Sequence, residues 1–368
     1  MANIIRRRGE GMSRREFMMS SFLLGAGVAA PTVLSLMNVR RAQAQDQPLR
    51  CAMSNAGLAV SWCAQGKDTA ELWGKWLGVE VTWFDGKLDT ALQRAAVDQI
   101  ATQADQWDFV AIQPLSIDSL VEPVQTLIDA GVPVIDMDTL IAPMPQMEEM
   151  GILSFIAPDN VFMSESVVQR LIDRMEGTGQ IAMTWGSQGH TGAQGRAQGF
   201  YNIVSKYPDI EVVDDQPADW DVTRVASIWE TLLNRYPDLK AGFLHNDDMA
   251  LAAKQVVDNA GLGEQILIGG IDGMTSAIEG VIDGRLVATA RNSAPRIHGG
   301  AVLLGYYAAT AGLEQAMADV PRFVLADGPA IFADVDSNPD LAETPWKLRG
   351  YGQSTAPGLR WLQEQLVF

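Results

Sequence analysis

Short apolar runs alternate with amphipathic segments along most of the chain. The first runs, which predict buried strands, lie at 50–54, 79–84, 109–113 and 132–137. Segments with apolar residues at helical spacing lie between them, at 62–77, 88–104 and 117–130. Each of the last two predicted helices is followed by a strand within a few residues. This order is the βαβ pattern, which requires a parallel sheet with helices on both faces.

The same alternation resumes after Ala157-Pro158-Asp159-Asn160. Its predicted helices lie at 161–175, 192–207, 223–236 and 247–260, and its predicted strands at 180–184, 210–213, 241–245 and 265–271. A single sheet of that many strands would be unusually wide, so the pattern favours two domains joined near Pro158. The predicted fold class is α/β, with two Rossmann-like lobes whose parallel sheets are flanked by helices.

The pattern changes from Pro321 onward. A strand-like run at 322–326 leads into a tail rich in Pro, Asp and Gly, with a final helix predicted at 358–366. Two interpretations of the tail stay open, partial disorder and docking on the body. Trp346, Tyr351 and Trp361 carry more apolar surface than disordered tails usually do.

The first residues indicate export. Ser13-Arg14-Arg15-Glu16-Phe17-Met18 has the form of a twin-arginine motif, and a weakly apolar stretch and Ala42-Gln43-Ala44 follow it. We therefore expect a cleavable twin-arginine signal at 1–44, a mature chain that begins at Gln45, and a periplasmic location. An N-terminal membrane anchor is the alternative, but glycines and a proline dilute the apolar stretch.

The net charge of the chain restricts the classes of partner that it can bind. Segment 1–44 carries seven Arg and two Glu, so its removal leaves 20 basic and 43 acidic residues and a net charge near −23. An acidic surface repels nucleic acid and anionic lipid, so we expect neither as a partner. The composition, with 47% hydrophobic and 20% charged residues, is typical of a globular protein.

The sequence offers little for catalysis. Cys51 and Cys63 are too few for a zinc or iron–sulfur site, and whether they pair stays open, although a strand and a helix position disfavour it. His190, His245 and His298 are isolated, and neither a C-x-x-C nor a nucleophile-elbow motif occurs. We predict no catalytic residue, metal or cofactor. An exported oxidoreductase is the weaker alternative, and a transcription regulator would need a helix-turn-helix where the signal lies.

Several runs, in their order and spacing, resemble the ribose-type periplasmic sugar-binding proteins of ABC importers. They are Phe109-Val110-Ala111-Ile112-Gln113-Pro114, Ala130-Gly131-Val132-Pro133-Val134, Gln216-Pro217-Ala218-Asp219-Trp220, Asn246-Asp247-Asp248-Met249-Ala250-Leu251, Ile271-Asp272-Gly273 and Asp283-Gly284-Arg285-Leu286-Val287-Ala288-Thr289. The resemblance covers about 48–326. It implies two lobes with three hinge crossings that close on a sugar, and the membrane subunits of an importer as partners.

The resemblance also sets the expected domains. The N-terminal lobe is 45–158 plus 293–321, the C-terminal lobe is 159–292 plus 322–338, and the tail is 339–368. We expect a monomer. A chemoreceptor or sensor kinase is an alternative partner, because it would read the same closed form.

A sugar site needs planar hydrogen-bonding groups and an aromatic platform in a cleft, because a sugar has many hydroxyls and an apolar ring face. The sequence supplies these groups at Asp138, Arg196, Trp220, Asn246, Asp272 and Asn292. Asp138 and Asp272 each follow a predicted strand, at the sheet edge where α/β folds bind ligands. Helix capping is the alternative role of both carboxylates, and neighbouring Asp136 serves as the comparison for Asp138.

Three further residues have alternative roles. Arg196 lies early in a predicted helix, where the helix dipole disfavours a cation, and the resemblance implies that it forks onto sugar hydroxyls. Trp220 matches the stacking aromatic of the family, with a plug on the lobe surface as the alternative. Asn246 matches a ligand residue and can also cap a helix. The glycine-rich loop 186–195 lacks P-loop spacing and is interpreted as a permissive turn.

Departures from the family limit the identity of the ligand. Ser54-Asn55-Ala56-Gly57 leads to Ser61-Trp62-Cys63, where the family has an Asn-x-Phe-Phe-like element. Trp62 is expected to replace a stacking phenylalanine, and Asn55 or Ser61 to supply the polar contact. Thr139 stands where ribose binders have an arginine, and Asn292 replaces a glutamine. These changes suggest a sugar or sugar alcohol other than ribose.

Overall fold

The structure, a computed structural model, describes residues 47–326 and 330–332. The predicted signal at 1–44 and the predicted helix at 358–366 lie outside the described residues. None of the helices described combines the length and the apolar character that a membrane span requires.

The first part of the chain alternates strands and helices. Its elements are β1 (Leu49–Asn55), α1 (Ser61–Leu77), β2 (Val79–Asp85), α2 (Thr90–Thr102), β3 (Phe109–Ile112), α3 (Val121–Asp129), β4 (Val134–Met137), α4 (Met144–Met150) and β5 (Ser154–Ala157). A 3-10 turn at Ala104–Gln106 follows α2.

The second part continues the alternation. Its elements are α5 (Asn160–Arg174), β6 (Gly179–Thr184), α6 (Thr191–Val204), β7 (Ile210–Asp214), α7 (Val222–Arg235), β8 (Leu239–Leu244), α8 (Asp247–Asn259), β9 (Leu267–Gly269), α9 (Thr275–Ile282) and β10 (Ala288–Ala290). The last described elements are α10 (Ala294–Ala311), α11 (Leu313–Asp319), β11 (Phe323–Leu325) and β12 (Ala330–Phe332).

The described strands form two six-stranded sheets. The first has the order β11-β5-β4-β3-β1-β2 with parallel pairing throughout, and the second has the order β12-β10-β9-β8-β6-β7 with β12 antiparallel to β10. The chain passes from the first sheet to the second after β5, returns after β10, and passes again between β11 and β12. The predicted class, two lobes of mostly parallel sheet with flanking helices, is confirmed.

One part of the expected domain division is wrong. We expected 322–338 in the C-terminal lobe, but β11 pairs with β5 in the first sheet, Phe323 opposite Phe155 and Leu325 opposite Ala157. Of the described residues after Arg322, those of β12 join the second sheet. The short apolar run gave no information on which sheet edge it would extend.

Burial explains why the central strands form. Every residue of β3, β4 and β5 is buried, as expected for parallel strands that helices cover on both faces. Edge strand β2 is half-buried over most of its length. Helices α1 and α10 pack together on the first sheet, and α5 and α6 pack together on the second. The packing of these helices on each sheet therefore fixes the positions of the strand ends.

Several element boundaries differ from the prediction. The helix expected at 117–130 begins at Val121, because Asp118 adopts a positive φ of 66° that a helix does not allow. The strand expected at 265–271 contracts to β9. The hydrophobic pattern also did not predict α4, β5, α9, α10 and α11 as individual elements, because most of them are short or uniformly buried.

Candidate functional site

A cavity lies between the two lobes, at the carboxyl ends of strands from both sheets. The space, with the part that is open to solvent included, is about 340 Å³. It is lined by Ala56, Val60, Trp62, Cys63, Leu88, Gln113, Asp138, His190, Arg196, Trp220, Asn246, Asp272 and Asn292. Seven of the nine residues predicted as ligand-binding are on this list. The structure brings them together, and their contact with a ligand stays a prediction.

Asp138 comes from the first lobe, directly after β4. It has a φ of 59°, in the left-handed region that Asp tolerates better than most residues. Its Oδ2 accepts a hydrogen bond from Gln113 Nε2 at 3.1 Å, and its Oδ1 accepts one from Asn292 Nδ2 at 3.2 Å. Neutral amides therefore hold this buried carboxylate. The Thr139 hydroxyl also lies 3.5 Å from Oδ2, so Oδ1, with one partner, is the oxygen that keeps capacity for a further hydrogen bond.

Asp136, the comparison for Asp138, has a structural role. Its Oδ2 accepts a hydrogen bond from the Ile141 backbone N–H at 3.0 Å, and it does not line the cavity. Burial raises the pKa of Asp136 well above its ordinary value. Of the two carboxylates on β4 and its end, the one beyond the strand faces the cavity.

Asp272 is the corresponding carboxylate of the second lobe. It lies beyond β9, with a φ of 126°, in a region that favours glycine. Its Oδ1 lies 3.3 Å from Arg196 Nη2. Burial raises the pKa of Asp272 above its ordinary value, and the Arg196 charge counteracts that rise. A strained backbone at a cavity carboxylate is typical of functional sites.

Arg196 lies within α6 and its side chain is 3% exposed. Besides its ion pair with Asp272, its Nε donates to Asn160 Oδ1 at 2.9 Å and its Nη1 donates to the His245 carbonyl oxygen. These contacts use one N–H on each of the three nitrogens, so the guanidinium retains donor capacity towards the cavity. Its position also explains a cation in a helix, because the pairing with Asp272 compensates for its burial.

Trp220 and Trp62 supply aromatic surface from opposite lobes. Trp220 has a φ of 64°, rare for a bulky residue, and its ring lies edge-on to His190 at 5.1 Å between centroids. A Cβ at Gly186 would lie 2.2 Å from that ring, so this glycine is needed for the close approach of Trp220. The loop 186–195 is not the permissive turn we expected, because none of its glycines has a positive φ. Trp62 is buried, and its Nε1 donates to the Asn292 carbonyl oxygen at 3.0 Å.

The two predicted amides differ in their contacts. Asn246 caps α8, since its Oδ1 accepts from the Met249 N–H at 2.9 Å, while its buried Nδ2 has no hydrogen-bond partner among the described residues. Its capping role is therefore present, and its amide nitrogen remains available. Asn292 lies where the chain returns to the first lobe, and it binds Asp138 as described above.

Two predicted residues do not line the cavity. Asn55 is fully buried, and its Nδ2 donates to the Cys63 carbonyl oxygen at 3.1 Å. Ser61 contacts the opposite lobe, because its N–H and its Oγ donate to the Asp248 carboxylate at 2.7 and 2.6 Å. Asp248 thereby places a negative charge at the N-terminus of α1, where the helix dipole favours it. Ser61 joins the lobes in this arrangement.

Sequence reasoning missed Gln113 and His190. Gln113 follows β3 at the same sheet edge as Asp138, and that position was the signal available. His190 was interpreted as isolated, but it lines the cavity and caps α6, where its Nδ1 accepts from the Ala193 N–H at 3.3 Å. Burial lowers the pKa of His190 to about 4, so the ring is neutral at pH 7.

The site offers hydrogen-bonding groups and aromatic faces. Within the described residues, no group of three or more His, Cys, Asp or Glu side chains has the arrangement of a metal site. Cys51 and Cys63 are buried free thiols, and burial raises the pKa of both well above the ordinary thiol value. A buried thiol with a raised pKa is a poor nucleophile.

Comparison with known proteins identifies the family. The model of the periplasmic binding protein domain matches residues 51–316, well over half of the chain. The chain therefore belongs to this family, and the resemblance inferred from its motifs is confirmed.

Individual relatives are more distant. The chain is 30% identical to the ribose import binding protein of Bacillus subtilis over 212 residues, 58% of this chain and 66% of that protein. It is 27% identical to the xylitol-binding protein of Mycolicibacterium smegmatis over 230 residues, 62% of this chain and 63% of that protein. Both matches span just under two thirds of the relative.

A solved structure shows the same fold. The solute-binding protein of an ABC transporter from Mycobacterium smegmatis, with bound glycerol, has a TM-score of 0.70 and 26% identity, and the match covers 80% of this chain and 96% of that chain.

Proposed function

We propose that this chain is a periplasmic solute-binding protein that captures a monosaccharide or sugar alcohol between its lobes and delivers it to an ABC importer. One observation carries the proposal. Asp138 from the first lobe and the Arg196–Asp272 pair from the second converge on one cavity, with an indole from each lobe beside them. This combination matches a ligand with many hydroxyls and an apolar face.

Each group has a definite part in binding. The carboxyl groups of Asp138 and Asp272 accept hydrogen bonds from ligand hydroxyls, and Arg196 and the Asn246 amide donate to hydroxyl oxygens. Trp62 and Trp220 cover the C–H face of the ligand. A ligand that bonds to both lobes stabilises the closed form by its differential affinity for that form.

The ligand class rests on the relatives as well as on the site. One relative is named for ribose and another for xylitol, and the solved neighbour holds glycerol. Thr139, in place of the arginine of ribose binders, favours a ligand other than ribose. We therefore place pentoses, hexoses and linear polyols in one panel of candidates.

The wider role follows from the family. The relatives are binding proteins, and we propose that this chain likewise has no catalytic role and acts as a monomer. Its partners in this proposal are the membrane subunits of an importer, and a chemoreceptor or sensor kinase is the alternative. The motif at Arg14 and Arg15 supports export to the periplasm by the twin-arginine route, with folding before export.

A thermal-shift panel tests the proposal on the chain from Gln45 onward. We expect D-ribose, D-allose, xylitol or another neutral sugar or polyol to raise the Tm by several degrees at millimolar concentration. Asp272→Asn should lose the shift, since the ligand loses a charged acceptor. Asp283→Asn, an exposed carboxylate change in the same lobe, should keep it. A wild-type Tm that no sugar or polyol changes would contradict the proposal.

A further inference from the structure

His190 connects the two lobes at the cavity. It belongs to the second lobe, as the cap of α6, and its Nε2 lies 2.6 Å from the Oγ1 of Thr139 in the first lobe. Its Nε2 also lies 3.6 Å from Asp138 Oδ2. Both His190 and Thr139 are buried. The contact therefore crosses the cleft beside Asp138, the carboxylate that we expect to bind the ligand.

The capping contact fixes the direction of the hydrogen bonds. Because His190 Nδ1 accepts the Ala193 N–H, the proton of the neutral ring lies on Nε2, which donates to Thr139 Oγ1. The Thr139 hydroxyl then directs its own proton towards Asp138 Oδ2, 3.5 Å away. A chain of donors thus runs from the second lobe to the carboxylate of the first.

The groups around His190 keep the ring uncharged in this arrangement. Asp138 favours a charged ring, whereas burial and the Arg196 charge oppose it, and burial is the largest of these effects on the pKa of His190. His245 and the edge-on Trp220 ring complete its surroundings. The ring remains a donor at Nε2 and an acceptor at Nδ1.

We propose that His190 is a positioning residue for ligand binding: across the cleft, it orients Asp138 through Thr139 so that the carboxylate accepts a hydrogen bond from a ligand hydroxyl. This inference rests on the proposed function. The hydroxyl of Thr139 acts as the link, since it accepts from one lobe and donates within the other.

Titration calorimetry on four variants tests the link. The probes are D-allose and xylitol, and the protein is the chain from Gln45 onward. His190→Asn retains a capping oxygen but is too short to reach Thr139. Thr139→Val removes the hydroxyl at nearly constant volume, and Thr139→Ser restores it. The fourth variant combines His190→Asn with Thr139→Val.

We expect each of the two disruptive changes to weaken binding of the better probe about 10-fold, and the double variant to be no weaker than the worse single variant. Thr139→Ser should stay within about threefold of wild type. Gln188→Ala, an exposed change in the same loop, should bind as wild type does. Circular dichroism and Tm confirm folding of each variant.

The outcomes separate the two claims. Additive losses, near 100-fold in the double variant, or unchanged binding in His190→Asn, would overturn the role of His190 while the proposed function stands. If wild type binds neither probe nor any other neutral sugar or polyol, the proposed function fails, and the inference fails with it.

Discussion

The cavity has two walls, the first formed by the first lobe and the second by the second lobe. Each wall holds its carboxylate by a different means. Asp138, in the first lobe, receives hydrogen bonds from the neutral amides of Gln113 and Asn292. Asp272, in the second lobe, pairs with the buried guanidinium of Arg196. Both carboxylates lie beyond a strand that is parallel to its neighbours, and both have a positive φ. Similar local geometry thus supports two electrostatic environments.

The two walls therefore differ in net charge. The second wall is close to neutral, because an anion and a cation lie side by side, and each compensates the burial of the other. The first wall keeps a net negative charge, which favours hydroxyl protons from the ligand. Loss of a charged group should therefore cost stability in the second lobe, and a change of ligand charge should be felt mainly at the first.

The largest expected effect is on the stability of the second lobe. Arg196→Met leaves Asp272 buried without its cation, so the free energy of unfolding should fall by about 3–5 kcal/mol. Urea unfolding at pH 7 measures it. Arg174→Met, an exposed arginine change in the same lobe, should lower the free energy of unfolding by less than about 1 kcal/mol. Equal losses in both variants would mean that the buried ion pair does not distinguish this wall.

A negatively charged ligand tests the difference between the two walls at the first lobe. The named partners of Asp138 include amides, a hydroxyl and a neutral imidazole, but no cation. A carboxylate on the ligand near Asp138 is repelled, so xylonate should bind at least about 100-fold more weakly than xylitol, and ribonate more weakly than ribitol. Calorimetric titration at pH 7 compares each pair. Comparable affinities for acid and neutral member would remove the difference between the walls.

A smaller effect concerns pH. The folded pKa of His190 is lowered to about 4 from an ordinary value of 6.5, so its stability contribution is present above pH 6.5 and is lost as the pH falls towards 4. Between pH 8 and pH 5, this group alone costs the wild type about 2 kcal/mol.

His190→Asn cannot titrate there, so its free energy of unfolding should fall by about 2 kcal/mol less than that of wild type over the same range. The buried His245 and His298 are present in both proteins and cancel in the comparison. Urea unfolding at the two pH values provides the test, and parallel pH profiles would show that His190 is not buried between the lobes.

Sequence patterns predicted the fold better than the site. Apolar runs specify buried strands such as β3 and β4, and the amphipathic helices between them specify parallel pairing, so two α/β lobes follow from local information. The edge to which β11 adds depends on a return of the chain from the second lobe, which no local run encodes.

The site was predictable where strand ends carry unusual residues. Asp138 and Asp272 could be found because each lies beyond the carboxyl end of a parallel strand, one in each lobe, where α/β folds bind ligands. His190 could not be found in this way, since its contact with Thr139 depends on how the lobes meet. The expectation that Asn55 or Ser61 contacts the ligand came from the family resemblance, and the contact of Ser61 with Asp248 across the cleft likewise depends on how the lobes meet.

The central claim is that the carboxylates of both walls bind the same ligand. Calorimetric titration of Asp138→Asn and Asp272→Asn, with the neutral sugar or polyol that most stabilises wild type, tests it most directly. We predict one site in wild type and a loss of at least about 10-fold in affinity in each variant, since each removes one charge-assisted hydrogen bond of about 1.5–3 kcal/mol. Wild-type affinity in either variant would show that one wall does not contact the ligand and would contradict the account.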